Sequence, residues 1–231
     1  MSPRPKISEQ HPHLEEAIKE TAWRQIAENG ASAMSLRAIA RELGITAPAI
    51  YNYFPRRDDL VTELIVEAYL SLAQAQAHAL AEIPDGDHVA RLAALGHAYR
   101  QWALSHPERY NLIFGTPIPG YHAPMDVTRP AAAQSMKILI QTLDAAYQDG
   151  KLAVTKLPEP LLQMMQPWID KFEYTGHPSV IYFALAIWGE IHGLVSLELF
   201  GHFDVDSGKG ATDALFAAEI DAIAARIGIQ N

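Results

Sequence analysis

Apolar side chains recur every three or four positions along most of the chain, which is the spacing that gathers them on one face of an α-helix. In the segment 56–81, for example, Leu60, Leu64, Ala68 and Leu72 share such a face. The same spacing predicts helices over 13–30, 35–43, 46–54, 56–81, 88–105, 106–114, 131–148, 159–174, 179–200 and 211–227. No segment of convincing length alternates apolar and polar residues as a half-buried strand does. We therefore predict an all-α fold.

The helical pattern is interrupted over residues 115–130, GTPIPGYHAPMDVTRP, which contain four prolines and two glycines. Both residue types disfavour the interior of a helix. We therefore predict a loop over these residues. A loop of this length in a compact domain is usually functional or mobile.

Residues 35–60, SLRAIARELGITAPAIYNYFPRRDDL, predict two short helices around a tight turn. Ser35 is a good N-cap for the first helix, and Gly44 ends it. Thr46 can cap the second helix, where Pro48 falls in the first turn and costs little because the amides there have no intrahelical partner. This is the layout of a DNA-reading helix-turn-helix, whose second helix lies in the major groove.

The outward side of this motif carries small, aromatic and basic residues suited to a DNA groove. Arg37 can reach a guanine edge or a phosphate, and its alternative role is that of a solvated surface arginine. Tyr51 and Tyr53 can donate hydroxyl hydrogen bonds to phosphate oxygens, which fix the register without reading sequence. For Tyr51, the alternative is packing against the preceding helix.

The run S-L-R-A-I-A followed by G-I-T-A-P-A-I-Y-N-Y-F-P-R-R-x-x-L resembles the DNA-binding domain of the TetR (tetracycline repressor) family of transcriptional regulators. Arg57 stands where that family usually has a lysine, so the resemblance implies that its planar guanidinium clamps a phosphate. The residues predicted to contact DNA are Ser35, Arg37, Thr46, Ala47, Pro48, Tyr51, Asn52, Tyr53 and Arg57. Further along, residues 188–193, WGEIHG, match a W-x-x-x-H-G signature of the effector domain in many of these regulators, and residues 99–114 resemble the same subclass.

Composition excludes several other classes of protein. The 231-residue chain has no cysteine, so it has no disulfide, thiolate metal site or cysteine nucleophile. Its histidines are scattered without a metal-ligand spacing, and it lacks the short motifs of hydrolases, P-loop proteins and dinucleotide-binding enzymes. We predict no metal, no cofactor and no enzymatic activity. With no apolar signal segment or membrane span, a cytoplasmic location is expected.

A formal net charge of −9 opposes binding to a polyanion, but the distribution of charge alters that picture. Residues 1–57 contain eight basic and six acidic residues, whereas the remainder contains ten basic and 21 acidic residues. Residues 1–57, which we call the reading head, therefore carry a net charge of +2, and the rest of the chain carries a net charge of −11. This asymmetry indicates local electrostatic attraction at the head, with an acidic body facing away from the duplex.

The resemblance implies a small-molecule cavity among the helices of the C-terminal part. Ligand sites are mostly apolar with a few polar groups, although each aromatic residue here can equally belong to the core. His192 is either a cavity residue or a buried histidine satisfied by one backbone carbonyl, and the loop 115–130 is a candidate lid. The residues predicted to bind the ligand are Tyr99, Trp102, Phe114, Met125, Trp168, Phe172, Trp188 and His192.

These features predict two domains, an N-terminal arm with the helix-turn-helix over 1–57 and a ligand-binding and dimerisation domain over 58–231. One helix-turn-helix reads few base pairs, so a homodimer is expected; the resemblance implies that it forms through helices 179–200 and 211–227. The alternative for the last helix is that it closes the core of the monomer. The predicted function is a DNA-binding regulator, a repressor released by an apolar or aromatic effector. An activator is not separable by sequence, and the alternative from another class is a small-molecule-binding protein or enzyme that does not use its helix-turn-helix for DNA.

Overall fold

The computed structural model describes residues 13–203 and 209–231. Within these ranges the regular structure is helical and contains no strand, which confirms the all-α prediction. The helices are α1 Leu14–Asn29, α2 Leu36–Glu42, α3 Ala47–Tyr51, α4 Arg57–Ala81, α5 His88–Ser105, α6 Pro107–Phe114, α7 Met125–Gln148, α8 Glu159–Phe172, α9 Pro178–Leu199 and α10 Lys209–Ile227. A short 3₁₀ turn, Ala31–Ala33, joins α1 to α2.

The chain divides into two compact units. The first contains the described residues up to Tyr69 together with His106–Ala131, and the second contains Leu70–Ser105 and Ala132–Asn231. The division predicted at residues 57 and 58 therefore differs from the compact units. The reason is that Leu60, Val61 and Leu64, in the first turns of α4, are fully buried in the core of the first unit. The predicted N-terminal arm, residues 1–12, lies outside the described residues.

The first unit is built on a three-helix core. Ile18 of α1, Ile39 of α2 and Ile50 of α3 are fully buried there, and Ile118 joins the same cluster from the segment after α6. Because these side chains face inward, the opposite sides of α2 and α3 remain available to solvent.

The turn between α2 and α3 is fixed by backbone hydrogen bonds. Gly44 has a φ of 66°. The amide of Ile45 donates to Ala40 O at 2.9 Å and that of Gly44 donates to Arg41 O at 3.2 Å. This is a Schellman motif, which satisfies the last carbonyls of a helix and reverses the chain through a left-handed residue. It sets the direction in which α3 leaves α2.

The second unit is centred on α9, which packs against α5, α8 and α10, while α10 also packs against α5. Its inward residues recur at helical spacing, and they are Val180, Ile181, Ala184, Ile187, Ile191 and Val195. Among the described residues, α9 is the one helix long and apolar enough by composition to cross a membrane, with a mean hydropathy of 1.6. The core helix of a soluble protein passes the same test, and α9 packs against three other helices on its buried side.

The predicted loop 115–130 is wrong in its second half, because α7 begins at Met125 and contains Pro130. The amides of Val127 and Thr128 both donate to Pro124 O at 3.0 Å, so the helix is already started before Pro130 is reached. Proline removes one backbone donor from a helix without preventing the surrounding turns from forming. Similarly, α3 ends at Tyr51 rather than near Phe54, although the amides of Tyr53 and Phe54 still bond Ile50 O at 3.0 Å.

Candidate nucleic-acid interface and candidate ligand cavity

The solvent side of α2 and α3 presents most of the residues predicted to contact DNA. Ser35 and Thr46 occupy the N-cap positions of the two helices, as the sequence predicts, yet neither side chain makes a capping hydrogen bond. In α3 and at the position directly after it, Ala47, Pro48, Tyr51 and Asn52 are exposed. The outward surface therefore combines small residues, where a helix backbone can approach base edges, with uncommitted polar groups.

Two arginines on this surface carry unpaired positive charge. Arg37 and Arg41 are exposed on α2, and neither has an ion pair or side-chain hydrogen bond within the described parts of the chain. They are four residues apart and so lie on one side of the helix. Arg41 was missed by the sequence analysis, although this spacing from Arg37 is a signal that could have identified it.

The other arginines near α2 and α3 are held by carboxylates. Arg24 Nη2 lies 2.7 Å from Glu42 Oε1, and Arg56 Nη2 lies 2.6 Å from Asp59 Oδ1. The hydrogen bonds from Arg24 and Arg56 lower the pKa of Glu42 and Asp59 respectively, so both carboxylates stay charged at neutral pH. The positive charge offered to a partner is thereby concentrated at Arg37 and Arg41.

Tyr51 and Tyr53 have different environments. Tyr51 is 39% exposed. Tyr53 packs against the apolar core, and its hydroxyl oxygen is buried with no hydrogen-bond partner among the described residues. Tyr51 can therefore reach a phosphate from the surface, whereas the hydroxyl of Tyr53 cannot do so in this conformation. The expected phosphate contact of Tyr53 is corrected accordingly.

Arg57 also differs from its expected role as a phosphate clamp. Its guanidinium donates to three backbone carbonyls around the 3₁₀ turn, with Nε 3.1 Å from Met34 O and Nη2 2.6 Å from Ala31 O and 3.2 Å from Ser32 O. These bonds tie the start of α4 to the α1–α2 connection. The planar fork that suits a phosphate here donates to backbone carbonyls of the turn.

A polar cluster around Trp23 joins α1, α4 and α6. Trp23 Nε1 donates to Glu67 Oε1 at 3.1 Å, and Arg109 Nη2 lies 3.0 Å from the same oxygen. The Arg109 guanidinium also lies over the indole, with its Cζ 4.7 Å from the ring centroid. Trp23 is consequently a buried structural residue, and α6 is held against α1 by a stacked and charge-assisted contact.

The second unit contains an apolar cavity of about 30 Å³, space for one or two water molecules. It is lined by Gln76, Leu92, Leu95, Gly96, Tyr99, Ser135, Met136, Leu139, Ile187, Trp188, Ile191, Ile220 and Ile223. Two residues of the sequence-predicted ligand set, Tyr99 and Trp188, belong to this wall. Most of the wall is aliphatic, and aliphatic residues carry no sequence signal that separates a cavity from an ordinary core.

His192 lies directly behind the cavity wall. Its Nδ1 is 2.9 Å from the hydroxyl of Tyr99, and its ring lies 5.6 Å from that of Trp188. Burial lowers the pKa of His192, so the ring is neutral at physiological pH. His192 therefore orients the tyrosine that faces the cavity.

The remaining predicted ligand residues do not line this cavity. Trp102 is buried with its Nε1 donating to Ser71 Oγ at 3.0 Å. Phe114 packs in the first unit against Tyr69 and Tyr110, and Met125 is 54% exposed in that same unit. Trp168 and Phe172 stack on each other along α8. Aromatic character selected these residues, but their positions in the chain place them elsewhere.

Phe172 borders a different feature of the second unit, an open cleft of about 260 Å³ between α7 and the α8–α9 connection. Its other walls include Lys137, Asp144 and Glu173. Asp144 accepts a hydrogen bond from Tyr174 Oη at 2.5 Å, and burial together with this carboxylate raises the pKa of the tyrosine. The walls of this cleft are more polar than those of the cavity around Tyr99.

The outer surfaces of α9 and α10 are lined with small and apolar residues. Ala186, Gly189 and Leu197 of α9 and its C-cap residue Phe200 are exposed. A methyl group added at Gly189 or Gly193 would meet nothing within 4 Å. Along α10, exposed small and apolar residues recur at helical spacing, beside the exposed charged residues Asp213, Asp221 and Arg226; they are Ala211, Ala214, Leu215, Ala218, Ala222 and Ala225. The two glycines of α9 are therefore not required for packing within the described protein.

Comparisons with known proteins find matches for both the N-terminal and the C-terminal part of the chain. Residues 18–64 match the family model of bacterial regulatory proteins of the tetR family, and residues 92–223 match that of the tetracyclin repressor-like C-terminal domain. An HTH-type transcriptional regulator of Mycobacterium tuberculosis is 33% identical over 195 residues, which cover 84% of this chain and 83% of the relative.

Solved structures show the same architecture. The crystal structure of the regulatory protein SCO4313 has a TM-score of 0.78 and 37% identity, covering 96% of this chain and 98% of that chain. A transcriptional regulator from Saccharomonospora viridis, solved in complex with choline, has a TM-score of 0.66 and 18% identity, covering 95% and 100% of the two chains. At that identity the second likeness concerns the fold alone. The relatives named here are regulators and not enzymes.

Proposed function

Because the chain belongs to the TetR family of bacterial transcriptional regulators, we propose that it is a repressor that binds a DNA operator and is released by a small effector. The observation that carries the DNA-binding half is the exposed surface of α2 and α3, where Arg37 and Arg41 have no partner within the described residues. Unpaired cations attract phosphates without first breaking an internal ion pair. Since operators are chromosomal, the protein is expected in the cytoplasm.

The proposed DNA-contacting residues form one surface: Ser35, Arg37, Arg41, Thr46, Ala47, Pro48, Tyr51 and Asn52. Arg37 near the start of α2 is the proposed base-reading residue, since a bidentate arginine to guanine contact discriminates by about 1 to 3 kcal/mol. Arg41 and Tyr51 are proposed phosphate contacts, which position the head on any sequence. Tyr53 and Arg57 are removed from the DNA-contacting set and support the motif from within.

Binding to the regulator's own upstream region tests this assignment. Arg37→Ala should lower affinity for the operator about 5-fold to 150-fold while changing affinity for random duplex less. Lys156→Ala, which removes an exposed cation in the second unit, is the matched control and should leave the preference unchanged. Equal losses on operator and random DNA would make Arg37 a phosphate contact, and no salt-dependent shift at all would contradict the DNA-binding proposal.

We also propose that two copies associate through α9 and α10. Two heads are needed because half-sites about 34 to 36 Å apart supply the specificity that one short motif lacks. The exposed small residues of both helices support this arrangement, because missing side chains let helices from a partner approach closely. Leu197, Phe200 and Leu215 would lose their exposure to water in such a dimer.

The effector is proposed to occupy the cavity lined by Tyr99 and Trp188. Release requires that the effector bind the non-DNA-binding state more tightly than the DNA-binding state, since equal affinity for both shifts nothing. A coupling of about 1 to 3 kcal/mol would weaken DNA binding about 5-fold to 150-fold. The choline complex of the structural relative supports small-molecule binding on this fold, but it does not identify the effector of this chain.

A further inference from the structure

The wall of the cavity carries no formal charge. Its polar members are Gln76, Tyr99, Ser135 and the indole of Trp188, and no Asp, Glu, Lys, Arg or His is among the residues that line it. Moving an ion from water into such surroundings is strongly unfavourable without a counter-charge. The cavity therefore supplies no counter-charge to an anionic or a cationic ligand.

One buried polar group faces this cavity with bonding capacity to spare. Gln76 is 5% exposed, and its Oε1 accepts a hydrogen bond from Ser135 Oγ at 2.5 Å. Within the described parts of the chain, its Nε2 has no hydrogen-bond partner. A primary amide offers two donors there, and both remain available to a ligand in the cavity.

Both hydroxyls of the wall are already engaged, since Ser135 Oγ donates to Gln76 Oε1 and the Tyr99 hydroxyl is hydrogen-bonded to His192 Nδ1. Gln76 is consequently the donor that a ligand can satisfy. An oxygen atom that accepts hydrogen bonds, such as that of an alcohol, ketone or ester, would provide the missing partner.

The size and flexibility of the wall limit the rest of the ligand. A cavity of about 30 Å³ must widen to admit more than two or three heavy atoms. Met136 can move because its unbranched side chain adapts to irregular space, and the Ile220 side chain fills the space beside Gly96. Aliphatic walls that part between helices favour a slender chain over a rigid fused ring system.

We propose that the effector of this cavity is an uncharged, mainly aliphatic molecule with one acceptor oxygen that hydrogen-bonds to Gln76 Nε2. This inference rests on the proposed function, because it names the class of effector for the same cavity. It also separates this chain from its choline-bound structural relative, whose ligand is a cation.

Calorimetric titration of the full-length protein with four probes that share a six-carbon chain tests the class of ligand. We expect 1-hexanol to bind most tightly, hexyl chloride to bind more weakly, and hexanoate and hexyltrimethylammonium to bind at least about tenfold more weakly than 1-hexanol. Lengthening the alcohol from four to six carbons should improve affinity by about fourfold per methylene. A charged probe that matches 1-hexanol, or the absence of binding by any probe, would overturn the proposal.

The role of Gln76 is tested with two glutamines of the same helix. Gln76→Leu should lower the affinity for 1-hexanol about twofold to tenfold and leave the affinity for hexyl chloride unchanged. Gln74→Leu, at an exposed position two residues earlier, should change neither. Equal weakening of both probes by Gln76→Leu would show that Gln76 shapes the cavity without donating to a ligand. If that variant does not fold, the comparison of 1-hexanol with hexyl chloride in the natural protein still decides whether an acceptor oxygen is recognised.

These measurements need no DNA, so they separate the effector class from the regulatory function. If the protein shifts its operator but binds none of the probes, the DNA-binding function is supported and this inference is contradicted. If the protein binds 1-hexanol but does not shift DNA, the inference about the cavity is supported and the proposed function is contradicted.

Discussion

Tyr51 and Tyr53 show how two neighbouring residues of one type receive different roles. Tyr51 is the last residue of α3 and is exposed, whereas Tyr53 falls in the following turn and points its hydroxyl into apolar surroundings. The sequence pattern describes both as outward aromatic residues. Only the early end of α3 and the packing of the turn distinguish them.

The two tyrosines therefore respond differently to loss of the hydroxyl. Tyr51→Phe should weaken binding to operator and random duplex to a similar extent, because a phosphate contact carries no sequence information. Tyr53→Phe should leave DNA affinity unchanged and keep or raise the melting temperature, since it removes a buried hydroxyl that has no partner among the described residues. Fluorescence anisotropy on both duplexes and thermal unfolding measure these effects. A Tyr53→Phe variant with weakened DNA binding would return Tyr53 to the interface.

His192 makes the stability of the second unit depend on pH. Burial holds its folded pKa below the ordinary value of 6.5, so the unfolded chain takes up the proton first as the pH falls. Its contribution to stability is complete above about pH 6.5 and is lost progressively on acidification toward the folded pKa. Between pH 7.5 and 5, the urea midpoint of His192→Gln should depend less on pH than that of the natural protein. His78→Gln, at an exposed position, is the control, and an identical pH slope in all three proteins would contradict this account.

At the scale of elements, the reading head depends on one backbone turn. The Schellman motif after α2 requires the left-handed conformation of Gly44, while the space around that residue is open. Any cost of adding a methyl group there therefore comes from the backbone conformation and not from a collision.

We predict that Gly44→Ala destabilises the head by about 1 to 2 kcal/mol, the cost of placing an L-residue in the left-handed region. Gly86→Ala is the matched control, because its surroundings are equally open and its φ is not positive. Urea unfolding followed by far-UV circular dichroism compares the two variants. A Gly44→Ala midpoint equal to that of Gly86→Ala would show that the turn does not need glycine.

For proline-rich segments, local sequence alone does not determine whether the chain forms a loop or a helix. Residues 115–130 contain enough proline to predict a loop, yet the last part is the start of α7. The tertiary setting decides such cases, because Thr128 is buried and its hydroxyl bonds Pro124 O, which stabilises the first turn. The helix-breaking tendency of a single proline is overcome when the turns around it are supported.

For the whole molecule, the exposed small-residue surfaces of α9 and α10 lead to a prediction about assembly. Sedimentation at micromolar concentration should give twice the chain mass of 25.5 kDa. Gly189→Glu places a charged side chain on that surface and should yield the monomer with unchanged helix content, because nothing within the chain lies near it. Gly86→Glu, in an exposed turn, should remain dimeric. A natural protein that sediments at the monomer mass would contradict the half-site argument.

Sequence alone determined the all-α fold, the helix-turn-helix at residues 35–60 and the membership of the regulator family. These features depend on spacing, caps and turn residues, which act between neighbours in the chain. It also predicted Tyr99, Trp188 and His192 as members of one ligand site, through the resemblance to the family and, for Trp188 and His192, through their helical spacing.

Tertiary structure decided which polar groups are committed and which are available. Arg57 and Tyr53 are directed inward by the packing of α1 to α4, whereas Arg41 is left unpaired because the nearby Glu42 is bonded to Arg24. It also decided that aliphatic residues and Gln76 form most of the cavity, while Phe114, Met125, Trp168 and Phe172 lie elsewhere. The physical reason is that burial and hydrogen-bond partners come from residues distant in the chain, so no local pattern can specify them.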